Sequence, residues 1–367
     1  MLSTDATALR EGSATRERFR EYNALSDTLS IIVLTTDRQS LPRGALAPRV
    51  TLYATRSWNR PLALLDAGII AWRLIRSGDS SQTVLTAQDP FELGLLGLII
   101  ARCLGIYLQV QIHTDFASPF FKNESLRNRL RTFLAQRVIP RADGVRVVSE
   151  RIAAAVRDIA LWQRVVVLPI YVPLSPREPK QTSTDKLTIL AVSRLTKEKD
   201  IATALKALRD VLAQFPNVTF RIVGEGPEHT ALENEARNLG IEKSVVFEGH
   251  TDDVAPYYQS ADVFLLTSRY EGYGRVLIEA AYANLPIIMT NVGIAGDILL
   301  DEKHALVCTV SSPQCIASKL ERLIADPLLR GRLGTAAREA VESARISKEE
   351  YLMRYRESLK MCMMKSL

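Results

Sequence analysis

From about residue 29 to residue 290, short apolar runs rich in β-branched residues alternate with longer segments whose apolar positions recur every three to four residues. In the first half, Leu29–Thr36, Arg49–Ala54, Thr83–Thr86, Ile106–Ile112 and Gly144–Val148 have the length and branching of buried strands. Between them, Pro61–Arg76, Pro90–Cys103 and Glu124–Val138 have helical spacing. Two of these open on proline, whose missing N–H and fixed φ suit a first helical turn. Within Glu124–Val138, Leu126, Leu130, Phe133, Leu134 and Val138 form an apolar stripe at helical spacing. Arg127, Arg129, Arg131 and Arg137 lie largely off it and are expected in solvent.

Pro173, Pro176 and Pro179, followed by Gln181-Thr182-Ser183-Thr184, interrupt the pattern and mark a linker over 173–184. Alternation then restarts with strand Leu187–Val192, helix Ile201–Phe215, strand Val218–Val223, helix Glu228–Leu239 and strand Ser244–Phe247. Strand Val263–Thr267, helix Arg275–Ala283 and strand Pro286–Thr290 follow. Strands separated by helices imply parallel sheets, because a parallel return needs a long crossover. The expected fold class is therefore α/β, with two Rossmann-like, doubly wound domains facing a cleft, over 29–172 and 185–346. Ligands in such sheets sit beyond the carboxyl ends of the strands.

Length and composition agree with this division: 367 residues is long for one core, and 47% hydrophobic with 24% charged residues is a globular balance. Residues 1–28 carry Asp5, Glu11, Glu17 and Glu21 among arginines without an apolar run, and read as an N-terminal extension open to disorder, with no secretory signal. The longest apolar stretch, Gly94 to Leu108, is broken by Arg102 and is shorter than the ~20 residues of a bilayer span, so it reads as helix then strand. Cys103, Cys308, Cys315 and Cys362 have no C-x-x-C spacing, which argues against a disulfide framework and a structural zinc site and fits a reducing, cytoplasmic setting. The net charge of +6 is uneven: residues 1–180 hold 24 Lys+Arg against 16 Asp+Glu. A basic first domain favours phosphates or peripheral association with an anionic membrane surface, or simply solvated helix faces. Nothing resembles an aromatic–basic nucleic-acid motif.

Chemistry concentrates at strand ends. Thr267-Ser268 closes a buried strand; Glu271-Gly272-Tyr273-Gly274 forms a loop, and a helix begins near Arg275. A helix start offers unpaired N–H groups and a positive dipole end to phosphate oxygens. Glu271 before it and Glu279 within it would place a carboxylate on each side of such a phosphate. With 23 glutamates an E-x7-E spacing arises by chance roughly once, so the strand–loop–helix context carries the inference. At another strand end, Arg194 and Lys199 could reach a diphosphate. Gly224-Glu225-Gly226-Pro227 is weak as a dinucleotide fingerprint, since His229 replaces the third glycine. His113 follows the strand Ile106–Ile112, with Asp115 near enough to orient it. No phosphate loop, H-E-x-x-H, nucleophile elbow or D-x-D pair occurs, so a metal-held diphosphate has no evident ligands.

Ser193-Arg194-Leu195, Lys199, Gly224-Glu225-Gly226-Pro227, Glu271-Gly272-Tyr273-Gly274 and Glu279 together resemble the donor domain of GT-B glycosyltransferases of family 4, the glycosyl transferases group 1. The resemblance is specific over roughly 185–310 and looser over 29–170. It implies retaining transfer from a UDP-, GDP- or ADP-sugar to a glycan, lipid-linked or small-molecule acceptor, without metal or other cofactor. By the same resemblance, Arg194 and Lys199 would hold the diphosphate, Glu279 the ribose, and Glu271 the sugar hydroxyls. Gly272, Tyr273, Gly274 and Arg275 would lie at the phosphates, Gly249 and His250 near the base, and His113 would reach the sugar. Residues 347–367, with helix Glu349–Met361, would return to the first domain. Two departures stand out: Asp37–Gly44 has one glycine where many members have several, and Arg275 replaces a common aliphatic residue. Alternatives are a sugar-nucleotide epimerase of the same fold, a non-catalytic nucleotide-sugar-binding protein and, least supported, an NAD-dependent enzyme.

Overall fold

The computed structural model describes residues 1–37, 44–78, 82–159, 165–174 and 187–364. Residues 175–184 of the expected linker, and 38–43 of the loop after the first expected strand, lie outside them. The chain forms two compact units, Met1–Pro169 with Ile346–Leu367, and Ile170–Arg345.

The first unit is built on strands β1 (Leu2–Ser3), β2 (Leu29–Val33), β3 (Gly44–Ala47), β4 (Val50–Ala54), β5 (Val84–Ala87), β6 (Tyr107–Ile112), β7 (Gly144–Val147) and β8 (Val165–Val167). They form one sheet in the order β3-β4-β2-β1-β5-β6-β7-β8, parallel except that β3 is antiparallel to β4. Helices α1 (Ala14–Glu21), α2 (Arg60–Arg76), α3 (Glu92–Leu104), α4 (Pro119–Glu124), α5 (Leu126–Val138) and α6 (Glu150–Ile159) connect the strands.

Residues 1–28 are not an extension. Leu2 pairs with Ile32 and Ala87, so β1 lies in the middle of the sheet. Leu2, Phe19 and Tyr22 are buried. A two-residue strand has no periodicity to read, and the arginines of α1 mask the single buried face that Phe19 anchors.

The helix expected over Glu124–Val138 divides at Ser125, which is extended and caps α5 by accepting from the Asn128 N–H at 3.1 Å. Of the expected apolar stripe of α5, Leu126, Leu130 and Phe133 face outward and only Val138 is fully buried. Asn128, Thr132, Ala135 and Val138 are buried, while Leu126, Leu130 and Phe133 are exposed. Helix α3 approaches α5 closely at Val138: a Cβ at Gly94 of α3 would lie 3.0 Å from that side chain and 2.9 Å from the Asp89 carbonyl. The polar side chains turned inward are satisfied locally, Thr132 donating to the Asn128 carbonyl at 3.0 Å.

The second unit contains β9 (Leu187–Val192), β10 (Val218–Val223), β11 (Val245–Gly249), β12 (Val263–Leu266), β13 (Ile287–Thr290) and β14 (Leu306–Cys308). All are parallel, in the order β11-β10-β9-β12-β13-β14. Helices α7 (Ile201–Leu212), α8 (His229–Asn238), α9 (Ala255–Ser260), α10 (Arg275–Tyr282), α11 (Pro313–Ala325) and α12 (Pro327–Ala344) cover the faces. Ile189, Phe220, Ile222, Val263, Leu265 and Ile288 supply the centre of the core, packed under Leu205 and Leu208 of α7 and Leu320 of α11. Strands covered on both faces read as apolar runs, and the bounds of β9 to β13 agree with the sequence pattern to within one or two residues; β14, α11 and α12 were not anticipated by it. The strand order reverses between β9 and β12, and the loops leaving these two strands form the topological switch point, where ligands of such sheets bind.

Helix α13 (Lys348–Met363) belongs to the first unit and packs on β5, β6 and β7. All four cysteines are free. No helix among the described residues is long and apolar enough to cross a membrane.

Candidate active site

At the switch point of the second unit, the loop after β9 and the loop after β12 are joined by charge and by hydrogen bonds. Lys199 Nζ meets Glu271 Oε1 at 2.5 Å, and the two side chains are only 16% and 13% exposed. Ser268 Oγ donates to the same carboxylate oxygen at 2.8 Å. Thr267 Oγ1 donates to the Lys199 carbonyl at 2.8 Å, and Thr290 Oγ1, at the end of β13, donates to the Ser268 carbonyl at 2.6 Å. Further along the same loops, Arg269 N–H donates to the Glu198 carbonyl at 2.7 Å, and its guanidinium pairs with buried Asp200 at 3.0 Å. Asp200 stands at φ 49° and accepts a bond from Ser311 at 2.7 Å. Lys199 and Glu271 are thus held by a rigid shell of short backbone-directed bonds.

Arg194 contrasts with Lys199. Its side chain is 76% exposed and reaches Glu198 at 3.2 Å, so it is a solvated charge at the margin of the loop. In the same segment, Ser193 Oγ and Thr196 Oγ1 are buried without a hydrogen-bond partner.

Helix α10 starts at Arg275 behind Gly274, which adopts φ 86° and leaves the first turn without a side-chain cap. One turn on, Glu279 accepts from the buried Tyr258 hydroxyl at 2.9 Å and lies 3.6 Å from the Arg275 guanidinium. Gly272 and Tyr273 are buried. Burial, with Asp297 nearby, pushes the Tyr273 phenol up to about 12, so it stays protonated at any ordinary pH.

Gly224 and Gly226 have a demonstrable packing duty. A Cβ at Gly224 would stand only 1.9 Å from the Ser193 carbonyl oxygen, and one at Gly226 only 2.3 Å from that of Leu195. The β10 turn therefore lies directly against the β9 turn, secured by Leu195 N–H to the Glu225 carbonyl at 2.8 Å. Gly249 accepts from Gly224 N–H at 2.8 Å. His250 is exposed, 3.5 Å from Asp252.

His113, in the first unit, follows β6 directly. Its Nε2 lies 3.2 Å from Gln111 Oε1, an oxygen that already accepts from Arg146 at 3.0 Å. An oxygen that accepts there requires Nε2 to carry the proton, which leaves Nδ1 with its lone pair. Burial, then the positive charge of Arg146, pushes the imidazole down to about 3, so the ring is neutral near pH 7. The Gln111 amide donates to Thr86 at 2.7 Å and to the Tyr355 hydroxyl at 2.6 Å. Arg146 donates to the Tyr351 hydroxyl at 2.9 Å and stacks 4.2 Å from the Tyr355 ring. Helix α13 therefore supports, through Gln111 and Arg146, the orientation of His113. Asp115 accepts from Ser118 N–H at 3.2 Å. It serves its own turn rather than the His113 ring.

The structure thus gathers Lys199, Glu271, Gly274, Arg275 and Glu279 around one switch point and keeps His113 at a strand end of the other unit. Sequence reasoning missed Thr290, Tyr258, Gln111 and Arg146. Thr290 and Tyr258 lie far along the chain from the residues they touch. Gln111 and Arg146 are polar residues inside apolar strands, and that oddity was the one available signal. Among the described residues, no three His, Cys, Asp or Glu side chains are grouped to hold a metal ion.

Residues 176–340 match the family described as Glycosyl transferases group 1, and residues 12–170 match the Glycosyl transferase 4-like domain. The chain belongs to the GT-B glycosyltransferases of group 1, family 4. Alpha-monoglucosyldiacylglycerol synthase of Streptococcus pneumoniae is 28% identical to this glycosyltransferase over 263 residues, 66% of this chain and 59% of that protein. The chain thus spans less than two thirds of that relative's length. Sucrose-phosphate synthase from Thermosynechococcus elongatus superposes with a TM-score of 0.77 at 19% identity, covering 92% of this chain and 90% of that one. Anabaena Alr3699/HepE, solved with UDP and glucose, gives 0.71 at 18% identity and 98% coverage of both chains. At such identities these two structures speak to the fold alone.

Proposed function

We propose that this protein is a retaining hexosyltransferase that uses a UDP-, GDP- or ADP-sugar, without a metal, and acts on a glycan, lipid-linked or small-molecule acceptor in cell-surface polysaccharide or glycolipid synthesis. The observation that carries the reading is the Lys199–Glu271 pair, which joins the two strand-end loops at the switch point, beside the uncapped start of α10. A donor diphosphate placed there would take the Lys199 ammonium and the first N–H groups of α10, with Arg194 and Arg275 as outer charges. Glu271, freed from Lys199 on one side, would accept from sugar hydroxyls, and Glu279 from the ribose. The unpartnered hydroxyls of Ser193 and Thr196 support a ligand or ordered water in the same loop. Complexes of Alr3699/HepE with UDP and glucose, and the glycolipid in the name of the pneumococcal relative, support the donor and acceptor classes.

In the proposed step the bond from the anomeric carbon to the β-phosphate oxygen breaks with its electron pair going to the phosphate. The acceptor oxygen bonds to that carbon on the same face, and its proton passes to the departing phosphate oxygen. Lys199 and the helix start stabilise the charge that develops on the leaving group. His113, neutral with Nδ1 unprotonated, would accept a hydrogen bond from a sugar hydroxyl.

The test is thermal stability with UDP, GDP, ADP and their sugar conjugates, with EDTA present. One diphosphate should raise the melting temperature, and Glu279→Ala should abolish the rise. The anomeric configuration of product, read by NMR, decides between retention and inversion. Donor consumed without any acceptor would indicate an epimerase; binding without turnover would indicate a binding protein.

A further inference from the structure

We propose that the outer surface of α2, α3 and α5 in the first unit docks on an anionic lipid bilayer. Helix α2 packs on α3 and α3 on α5, so the three form one layer over the sheet. On the side away from the sheet, Leu65 and Ile69 of α2, Ile99 of α3, and Leu126, Leu130 and Phe133 of α5 are exposed, Leu126 to 80% and Leu65 to 64%. The orientation of α5 is the decisive observation. It turns Asn128 and Thr132 into the unit and leucine and phenylalanine to the outside, the reverse of what burial alone favours. Singly exposed leucines are ordinary, but a layer of adjacent helices that all present them is an interaction surface.

The charge on this layer names the occupant. The three helices carry eight arginines, no lysine and two carboxylates. Both carboxylates are engaged: Glu92 by Arg127 and Arg131, and Asp66 by the Arg56 N–H at 3.0 Å. Arg73, Arg76, Arg102, Arg129 and Arg137 remain exposed among the apolar side chains, and Arg137 stacks 4.8 Å from the Phe133 ring. Apolar side chains that enter the acyl boundary, interleaved with guanidiniums at phosphate depth, are what an interfacial helix presents to anionic lipid. The inference rests on the transfer reading only for its purpose, which is to bring a lipid-linked acceptor to the enzyme.

The full chain would be sedimented with vesicles of phosphatidylcholine alone and of phosphatidylcholine with phosphatidylglycerol, at low and high salt. Partition at least tenfold higher with the anionic vesicles, reduced by salt, is expected. Arg129→Gln/Arg137→Gln should weaken it by about tenfold or more, and Leu130→Ser/Phe133→Ser by a comparable factor. Leu328→Ser, at an exposed leucine of the second unit, should change nothing. No binding, equal binding to both vesicles, or surface variants that behave like Leu328→Ser would overturn the proposal. So would a dimer in sedimentation velocity that Leu130→Ser/Phe133→Ser dissociates, since a second copy would then own the face. Nucleoside-diphosphate melting shifts on the same protein separate the two readings: vesicle binding without any such shift would sink the transfer reading and leave the docking face standing.

Discussion

Replacing Lys199 by methionine would keep the apolar stem of the side chain and remove the ammonium that meets Glu271 at 2.5 Å. The carboxylate would then stay in a mostly buried place with the Ser268 hydroxyl still donating to it. Breaking a buried pair from one side costs about 3–5 kcal/mol, and the surviving Ser268 bond puts Lys199→Met near the lower end, about 3 kcal/mol. Glu271→Gln removes the charge from the other side; the glutamine can still accept from Ser268, so about 2 kcal/mol is expected. The double variant leaves no unpaired buried charge. It should lose about 3 kcal/mol instead of the sum of the singles, a coupling of about 2 kcal/mol. Urea unfolding of the four proteins, followed by circular dichroism, measures this directly. Raising the salt should change the coupling little, because a shielded contact pair is screened far less than surface charges. Single-variant losses that add to within about 0.5 kcal/mol would mean the pair does not form, and the argument for two loops locked at the switch point would fail.

Gly224→Ala should cost more than any of these, because its Cβ would overlap the Ser193 carbonyl oxygen at 1.9 Å with φ at 134°. Gly240→Ala, at φ 70° in open space, should cost about 1 kcal/mol, and the two can be compared by urea midpoint. Arg146→Met removes the donor to Gln111 and Tyr351, and should destabilise the first unit by about 2–4 kcal/mol and speed proteolysis within α13; unchanged cleavage would refute its role as anchor. His113 is depressed from 6.5 to about 3, so the unfolded chain binds a proton that the folded chain refuses between those values. Stability should therefore fall as pH drops from 6.5 toward 3, by up to about 1.4 kcal/mol per unit, and His113→Asn should flatten that part of a urea-midpoint profile. Tyr258→Phe removes one bond to Glu279, and should cost about 1 kcal/mol while weakening nucleotide binding, as read by calorimetry.

In the second unit the sequence by itself marked strands β9 to β13, while the short edge strand β14 and the helices α11 and α12 that follow it were not read from the pattern. Strands β12 and β13 are buried throughout and read as apolar runs, and the helices between the strands keep a helical period. The strand ends then follow from the strands, and with them the neighbourhood of Arg194, Lys199, Glu271 and Glu279. What stayed hidden there was partnership. That Lys199 meets Glu271, that Tyr258 meets Glu279, and that Gly224 is demanded by the Ser193 carbonyl are contacts between segments far apart in the chain, and strand order alone brings them together.

The first unit was less legible for two physical reasons. Its central strand is two residues long, too short to show any period, so Leu2–Ser3 could be recognised only from the strands that flank it. Helix α5 has one face of small and polar residues, Asn128, Thr132 and Ala135, and one of large apolar residues, Leu126, Leu130 and Phe133. The pattern marks the large one, and only the tertiary packing of α5 on its neighbours turns the small one inward. His113 shows the same division: its place after β6 was readable from the chain, whereas its neutral state and its tautomer depend on Gln111, Arg146 and a helix that arrives from the far end of the sequence.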